Sequence, residues 1–179
     1  MKFARNLLGG LLIVVLACVG WNYWSVHRHV QSVLKSWASD GQVDVLGYHR
    51  YLVVPGTIVF DLRSVSMKAS SADVDRVLLR FAETQQAREF DNVILAYRGE
   101  PKFLLKGEYF QKVGRTFADQ NPVYILRTLP QNVLNTDGSP AFETWTGGLL
   151  GVLGKQMEDL NNFNHRWFVD DVISHGSGR

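Results

Sequence analysis

The chain is almost without cysteine. Cys18 is the only one in 179 residues, so no intramolecular disulfide can form and no zinc site of the Cys-x-x-Cys type exists. A disulfide-free fold suits the cytosol and equally a bacterial envelope protein, so cysteine usage leaves the compartment open. An excess of charge of one sign is also lacking. Nineteen Lys and Arg stand against 17 Asp and Glu, for a formal net charge of +2. The basic residues are interleaved with acids and form no run or stripe, so nucleic acid is not an expected partner. Internal repeats and low-complexity linkers are absent. There is no Gly-x-Ser-x-Gly elbow, and the one thiol lies in an apolar N-terminal run, which leaves a serine or cysteine hydrolase without a nucleophile. A paired-carboxylate enzyme needs two acids at a set separation, and nothing in the sequence selects a pair.

What is present begins at the N-terminus. Lys2 and Arg5 precede Leu7 to Trp24, 18 residues without a charge, in which Asn22 is the one strongly polar side chain. As a helix this run spans about 27 Å, enough for a hydrocarbon core. Trp21, Tyr23 and Trp24 cluster at its far end, where an aromatic belt would meet the lipid–water boundary. The expectation is an uncleaved single-pass anchor over residues 1–25, with Leu7, Leu12, Val15, Trp21 and Trp24 toward lipid and the bilayer as first partner. Two alternatives stand beside it. One is a cleaved signal peptide, although no small-x-small site is followed by a polar start. The other is a lipoprotein: "VLAC", Val15 to Cys18, resembles a lipobox, which implies acylation of Cys18, but Leu16 fills a place normally held by a smaller residue. Lys2, Arg5 and the free amine favour the N-terminus inside and the domain outside, in the periplasm.

The helical pattern continues past the aromatic cluster. Val26, Val30, Val33, Leu34 and Trp37 follow i, i+4, i+7, i+8, i+11 spacing, an amphipathic stripe. Asp40-Gly41 supplies a stop. Residues 26–40 are therefore expected to form a helical stalk, within one helix over about 6–39. His27 and His29 lie two residues apart, about 200° around a helix, and cannot chelate one ion together.

From Gly41 the period shifts toward two. Val43–Val54 and Thr57–Met67 are expected to be strands bracketed by Pro55-Gly56. Ile58, Phe60 and Leu62 form the buried face, and a change of parity after Ser64 marks a bulge or a strand end. Ser70–Arg88 is the clearest helix, with Val74, Val77, Leu78, Phe81, Ala82 and Gln85 on one face and Ser70 and Asp73 at capping-box spacing. Asn92–Arg98 and Lys102–Lys106 flank a Gly99-Glu100-Pro101 turn. Glu108–Ala118 is expected to be helical, with Tyr109, Phe110, Val113 and Phe117 inward. Pro122–Leu134 is open between helix and extended chain, and Asn135–Pro140 is a dense turn. The fold class is α+β: a transmembrane helix continuing into a small antiparallel sheet of about four strands, packed by helices largely on one face and closed by a long C-terminal helix. The globular domain covers residues 41–173, and 174–179 form a tail.

The segment "TGGLLGVLGKQMEDLNNFNH", Thr146–His165, is the one that invites a functional reading. It is not a phosphate loop. Gly154-Lys155 has Leu149 where the Walker pattern needs glycine and Gln156 where it needs Ser or Thr. The nearby "NTDGSPAFE" is not a calcium loop either, because Val133 and Thr144 fall where carboxylates are required. Wound as a helix over Thr144–Asp171, the segment places Leu149, Val152, Leu153, Met157, Leu160, Phe163 and Trp167 on one side, interrupted by Gln156. Gly147, Gly151, Gly154, Glu158, Asn161, Asn162 and His165 fall on the other. Interior glycines cost about 1 kcal/mol each against alanine, and their alignment suggests close approach of another backbone. The alternative is a loop, with the helix starting after Gly151 or Gly154.

Two function classes follow. One is an envelope-anchored accessory protein acting by protein–protein contacts or self-association through this glycine face. The other is a membrane-tethered enzyme or small-ligand binder with a cleft there. Glu158 and His165 would then be base and acid. Their i, i+7 spacing separates them by about 10.5 Å along the axis, too far to chelate one ion directly. No metal and no cofactor is expected.

Overall fold

The computed structural model describes residues 2–37, 41–117 and 119–176. The N-terminal helix runs as α1 (Lys2–Asn22), passes through a π turn at Tyr23–His27, and continues as α2 (Arg28–Trp37). The expected stop at Asp40 lies outside the described residues. One stretch of this helix, Gly9–Ser36, is long and apolar enough to cross a membrane.

The domain is a five-stranded mixed sheet in the order β1 (Val43–Arg50), β2 (Val54–Val65), β3 (Asn92–Tyr97), β4 (Glu100–Lys106) and β5 (Val133–Leu134). This corrects the expected antiparallel sheet of about four strands. β2 and β3 pair in parallel, Phe60 opposite Leu95, and the other neighbours pair antiparallel. The cause is α3 (Ser71–Thr84), which carries the chain back between β2 and β3. A helix-length crossover brings the next strand in parallel, whereas a short turn brings it in antiparallel. The fifth strand is only two residues long and follows Pro130, too short to show a period.

The first turn also differs from expectation. β1 and β2 turn at Tyr51–Val53, with Arg50 opposite Val54, and Pro55-Gly56 lies inside β2. The parity change near Ser64 is a bulge: Asp44 pairs with Ser64 and Val45 with Leu62, leaving Arg63 as the extra residue. Further on, the expected elements form with small boundary shifts. Ser70 caps α3 in a complete capping box with Asp73. α4 (Gly107–Thr116) crosses α3 so closely that a Cβ on Gly114 would meet the Ala82 carbonyl. α5 (Pro122–Thr128) and a 3-10 turn at Pro130–Asn132 resolve the segment left open between helix and extended chain.

The C-terminal helix starts later than Thr144. α6 (Leu149–Asn164) passes through a π turn at His165–Val169 into α7 (Asp170–Gly176). Gly148 is its N-cap, so Gly147 lies in the preceding loop, at φ 130°. α7 reaches into the segment expected to be a tail.

One core joins the inner sheet face, Ile58, Phe60, Leu62, Val93, Leu95, Phe103 and Leu105, to residues from every one of these helices beyond α1 except α7's polar face. Val26, Val30 and Val33 belong to that core and are essentially inaccessible. The valine stripe is therefore packed into the domain, not standing off it. Within it Trp167 packs at a tilt against Phe163 and edge-to-face against Phe168, with ring centroids 5.4 and 5.7 Å apart.

Candidate functional site

The polar chemistry of the chain concentrates where the apolar helix meets the sheet. Gly47 of β1 lies directly under the helix: a Cβ there would sit 2.8 Å from Val30 Cγ2 and 2.9 Å from Val26 Cγ1. Only glycine permits this approach without displacing the two valines. One turn further down, Asn22 is buried. Its amide nitrogen donates to the Cys18 carbonyl at 2.8 Å and to the Leu52 carbonyl at 2.7 Å, and its Oδ1 accepts from the His49 backbone N–H at 2.7 Å. A single side chain thus satisfies two backbone groups at the end of β1 and fixes the register of helix against strand.

The neighbouring π turn widens the helix at this contact, as such turns do where a helix must accommodate a neighbour. Ser25 donates its hydroxyl to the Trp21 carbonyl at 2.6 Å, and its oxygen lies 3.1 Å from His49 Nε2. Arg88, just beyond α3, donates to the Ser25 carbonyl. Burial, then the Arg88 charge, hold the His49 pKa below its ordinary value, against nearby backbone carbonyls that act to raise it.

Beside this junction lies a groove of about 420 Å³. Val19, Tyr23, His27, Leu46 and Leu52 line it, with Asp61 and Arg63 at its floor. The Asp61 carboxylate is buried and fully engaged. It accepts from Arg63 Nη1 at 2.8 Å and from the Gly99 N–H at 2.9 Å, and Tyr48 Oη lies at 3.5 Å. Asp61 thereby holds the β3–β4 turn, where Arg98 and Gly99 adopt φ 52° and 85°. The groove walls are largely apolar, and the His27 ring that lines it has its Nδ1 without a hydrogen-bond partner among the described residues.

A second buried polar pair sits between α3 and α6. Asn164 Nδ2 donates to Asp75 Oδ2 at 3.1 Å. Asp75 Oδ1 and Asn164 Oδ1 have no hydrogen-bond partner among the described residues. Burial pushes the Asp75 carboxyl up to about 7, against the Asn164 bond, which acts to lower it.

The glycine face of α6 is placed differently. Gly151 and Gly154 are exposed, and a Cβ on either would meet nothing within 4 Å. No backbone of this chain's described residues approaches them. Glu158 and Asn161 are exposed, and Glu158 pairs with Lys155 at 2.9 Å. His165 is half-buried, and its Nδ1 lies 2.8 Å from Asp170 Oδ1. The two residues have separate partners and are not brought into one cleft. Leu150 and Met157 are also exposed on this side, whereas Gln156 faces inward. That corrects the apolar stripe, in which Met157 was expected inside. The indole of Trp145 donates to Asp159 at 2.6 Å and folds the loop before α6 against the helix.

Of the anchor residues, Leu12, Val15, Trp21 and Trp24 are exposed and Cys18 is half-exposed; the Leu7 side chain lies outside the described set. Asn22, His49, Asp61, Arg88, Asp75 and Asn164 were not anticipated. Asn22 carried a readable signal, as the one amide in an apolar run. The others have none, because each depends on a partner distant in sequence. Among the described residues no three His, Cys, Asp or Glu side chains converge on a metal-binding point. Comparison of the chain with protein-family models, with curated proteins and with solved structures gave no match to any of the three.

Proposed function

We propose that this chain is a single-pass membrane protein of a bacterial envelope, whose periplasmic domain acts by contact with other proteins at the bilayer surface. One observation carries the reading. The helix changes character along its length: Leu11, Leu12, Ile13 and Leu16 are about three-fifths exposed, while Val26 and Val30 are fully buried in the domain. An apolar stretch bare in every direction loses free energy in water at about 25 cal/mol per Å², and a bilayer removes that cost. The same helix then mounts the domain rigidly, through Gly47 and Asn22. Orientation follows the N-terminal charges. A cysteine placed at the exposed turn position Thr136, in a Cys18→Ala background, is expected to react with a thiol reagent that cannot cross the inner membrane. Reaction only after that membrane is opened would reverse the topology.

The open α6 face supports action by contact. Leu150, Gly151, Gly154 and Met157 present a flat, partly apolar surface. Gly151→Leu separates docking from folding. Because a side chain there meets open space, helix propensity predicts a gain in stability of about 1 kcal/mol. Cross-linking in native membranes is expected to give a species above the monomer that this variant loses while its Tm rises. A wild-type chain that cross-links to nothing would sink the reading.

A second reading, a membrane-tethered binder of a small apolar ligand, draws its support from the groove beside Asn22. It draws none from Glu158 and His165, which are paired at the surface.

A further inference from the structure

The turn between β1 and β2 has an unusual composition for its geometry. Tyr51 and Leu52 both adopt left-handed backbone conformations, φ 53° and 64°. Such turns favour Asn, Asp and Gly, because larger side chains crowd the backbone there. This turn keeps Tyr51-Leu52-Val53 instead, followed by Val54 and Pro55. The side chains point outward: Tyr51 is 72% exposed, Leu52 42% and Val53 62%. A contiguous apolar tip of this kind marks an interaction surface.

The position of the tip identifies what it meets. Contacts between β1 and the helix descend together: Gly47 lies against Val30 and Val26, His49 against Ser25 and Asn22, and Leu52 against Asn22. The strand therefore runs down the helix toward α1, and its turn ends level with Asn22. The uncharged run Leu7–Trp24 spans about 27 Å, against about 30 Å for a hydrocarbon core. With no slack in that match, Asn22 lies at the lipid boundary, and a turn hydrogen-bonded to it at 2.7 Å lies there too. The flanking residues suit that layer. The Arg50 guanidinium lies 4.9 Å from the Tyr51 ring centroid and bonds its hydroxyl at 3.2 Å, and Arg28 lies 4.2 Å over Trp24. Arginines on aromatic rings at one level can lift their charge to headgroups while the rings enter the interface.

We infer that Tyr51–Val54 is a second membrane contact, a hairpin tip seated in the lipid interface beside the span. The inference rests on reading α1 as that span. Because helix and domain already move as one unit through Gly47 and Asn22, the second attachment restrains rotation and tilt of that unit, so its outer faces are held at a fixed angle to the bilayer.

The test uses the full chain in vesicles of phosphatidylcholine and phosphatidylglycerol. In a Cys18→Ala background, a nitroxide is placed at Val53→Cys, with Val15→Cys as the lipid reference and Thr136→Cys as the water reference. Collision with oxygen and with a water-soluble nickel chelate is read by power saturation. The Val53 label is expected to favour oxygen over nickel several-fold more than the Thr136 label does. If it matches Thr136 while Val15 is lipid-like, the hairpin contact is wrong and the span stands. If Val15 also behaves as in water, both are wrong. A Val53 label shielded from both reagents reports a second copy of the chain and overturns the lipid assignment. Tyr51→Cys, labelled in the same way, guards against a local disturbance at Val53 and is expected to agree with it.

Discussion

Asn22→Leu is expected to lower the unfolding free energy of the domain by about 2–4 kcal/mol, although it makes the anchor more apolar. Leucine keeps the branched shape, though it is bulkier, and raises the hydrophobicity of the span, so insertion into the membrane is not impaired. What it removes is the acceptor for the His49 N–H and the donor to the Leu52 carbonyl. The Asn22–His49 bond is buried, and a buried donor stripped of its partner costs about 1–3 kcal/mol. The Cys18 carbonyl is less affected, because it retains its place in the helix. Denaturant unfolding in detergent micelles, followed by circular dichroism, measures the change. A loss below about 0.5 kcal/mol would mean that the valine contacts alone hold helix to sheet, with Asn22 a bystander. The same variant should loosen the β1–β2 turn, visible as faster amide exchange at His49.

The second large effect concerns acidity. Asp75 is buried between α3 and α6 with a pKa raised to about 7 by desolvation. Folding therefore favours its protonated form. Below about pH 4 the folded and unfolded chains both carry the proton, and the group does not influence the balance. Between about pH 4 and pH 7 the unfolded chain has released the proton while the folded chain retains it, so stability falls as pH rises; above that window the loss is complete. At about 1.4 kcal/mol per pH unit, the full loss is up to about 4 kcal/mol. Asp75→Asn keeps the shape and removes the titration. The stability of this variant relative to the parent is expected to grow by about 3 kcal/mol between pH 5 and pH 8. Denaturant unfolding of both proteins at the two pH values checks it, and a constant difference would show that Asp75 does not titrate across folding.

Some of these features were legible in the sequence and some were not. The capping box at Ser70 and Asp73 was legible because both partners lie within one helical turn. The faces of α3 and α4 were legible because a 3.6-residue period is local, and the bulge near Ser64 because parity along one strand is local too. Asp75 was not. It lies off the predicted apolar face of α3, and only α6 arriving from far along the chain covers it. Asp61 read as the solvent side of β2, yet it is buried because the β3–β4 turn folds back onto its carboxylate. For α6 the periodicity placed Phe163 and Trp167 inward, but it misplaced Met157, which is exposed, and the boundary lies later than Thr144. Gly147 and Gly148 stop the helix short of Thr144, and the glycine line faces open space. Periodicity assigns residues to opposite sides of a helix, but what covers each side is set elsewhere.

The sequence by itself determined the apolar N-terminal helix, the amphipathic stripe that follows it, the α+β class and the main elements. Each of these rests on side-chain chemistry repeated over a few neighbouring residues. Only the tertiary structure decided the parallel β2–β3 pairing, the burial of the valine stripe in the domain, and the use of Asn22 as the pin between helix and sheet. Those depend on which distant backbones come within hydrogen-bonding distance of one another. That proximity is a property of the packed whole, because only closing the core brings residue 22 to residues 49 and 52.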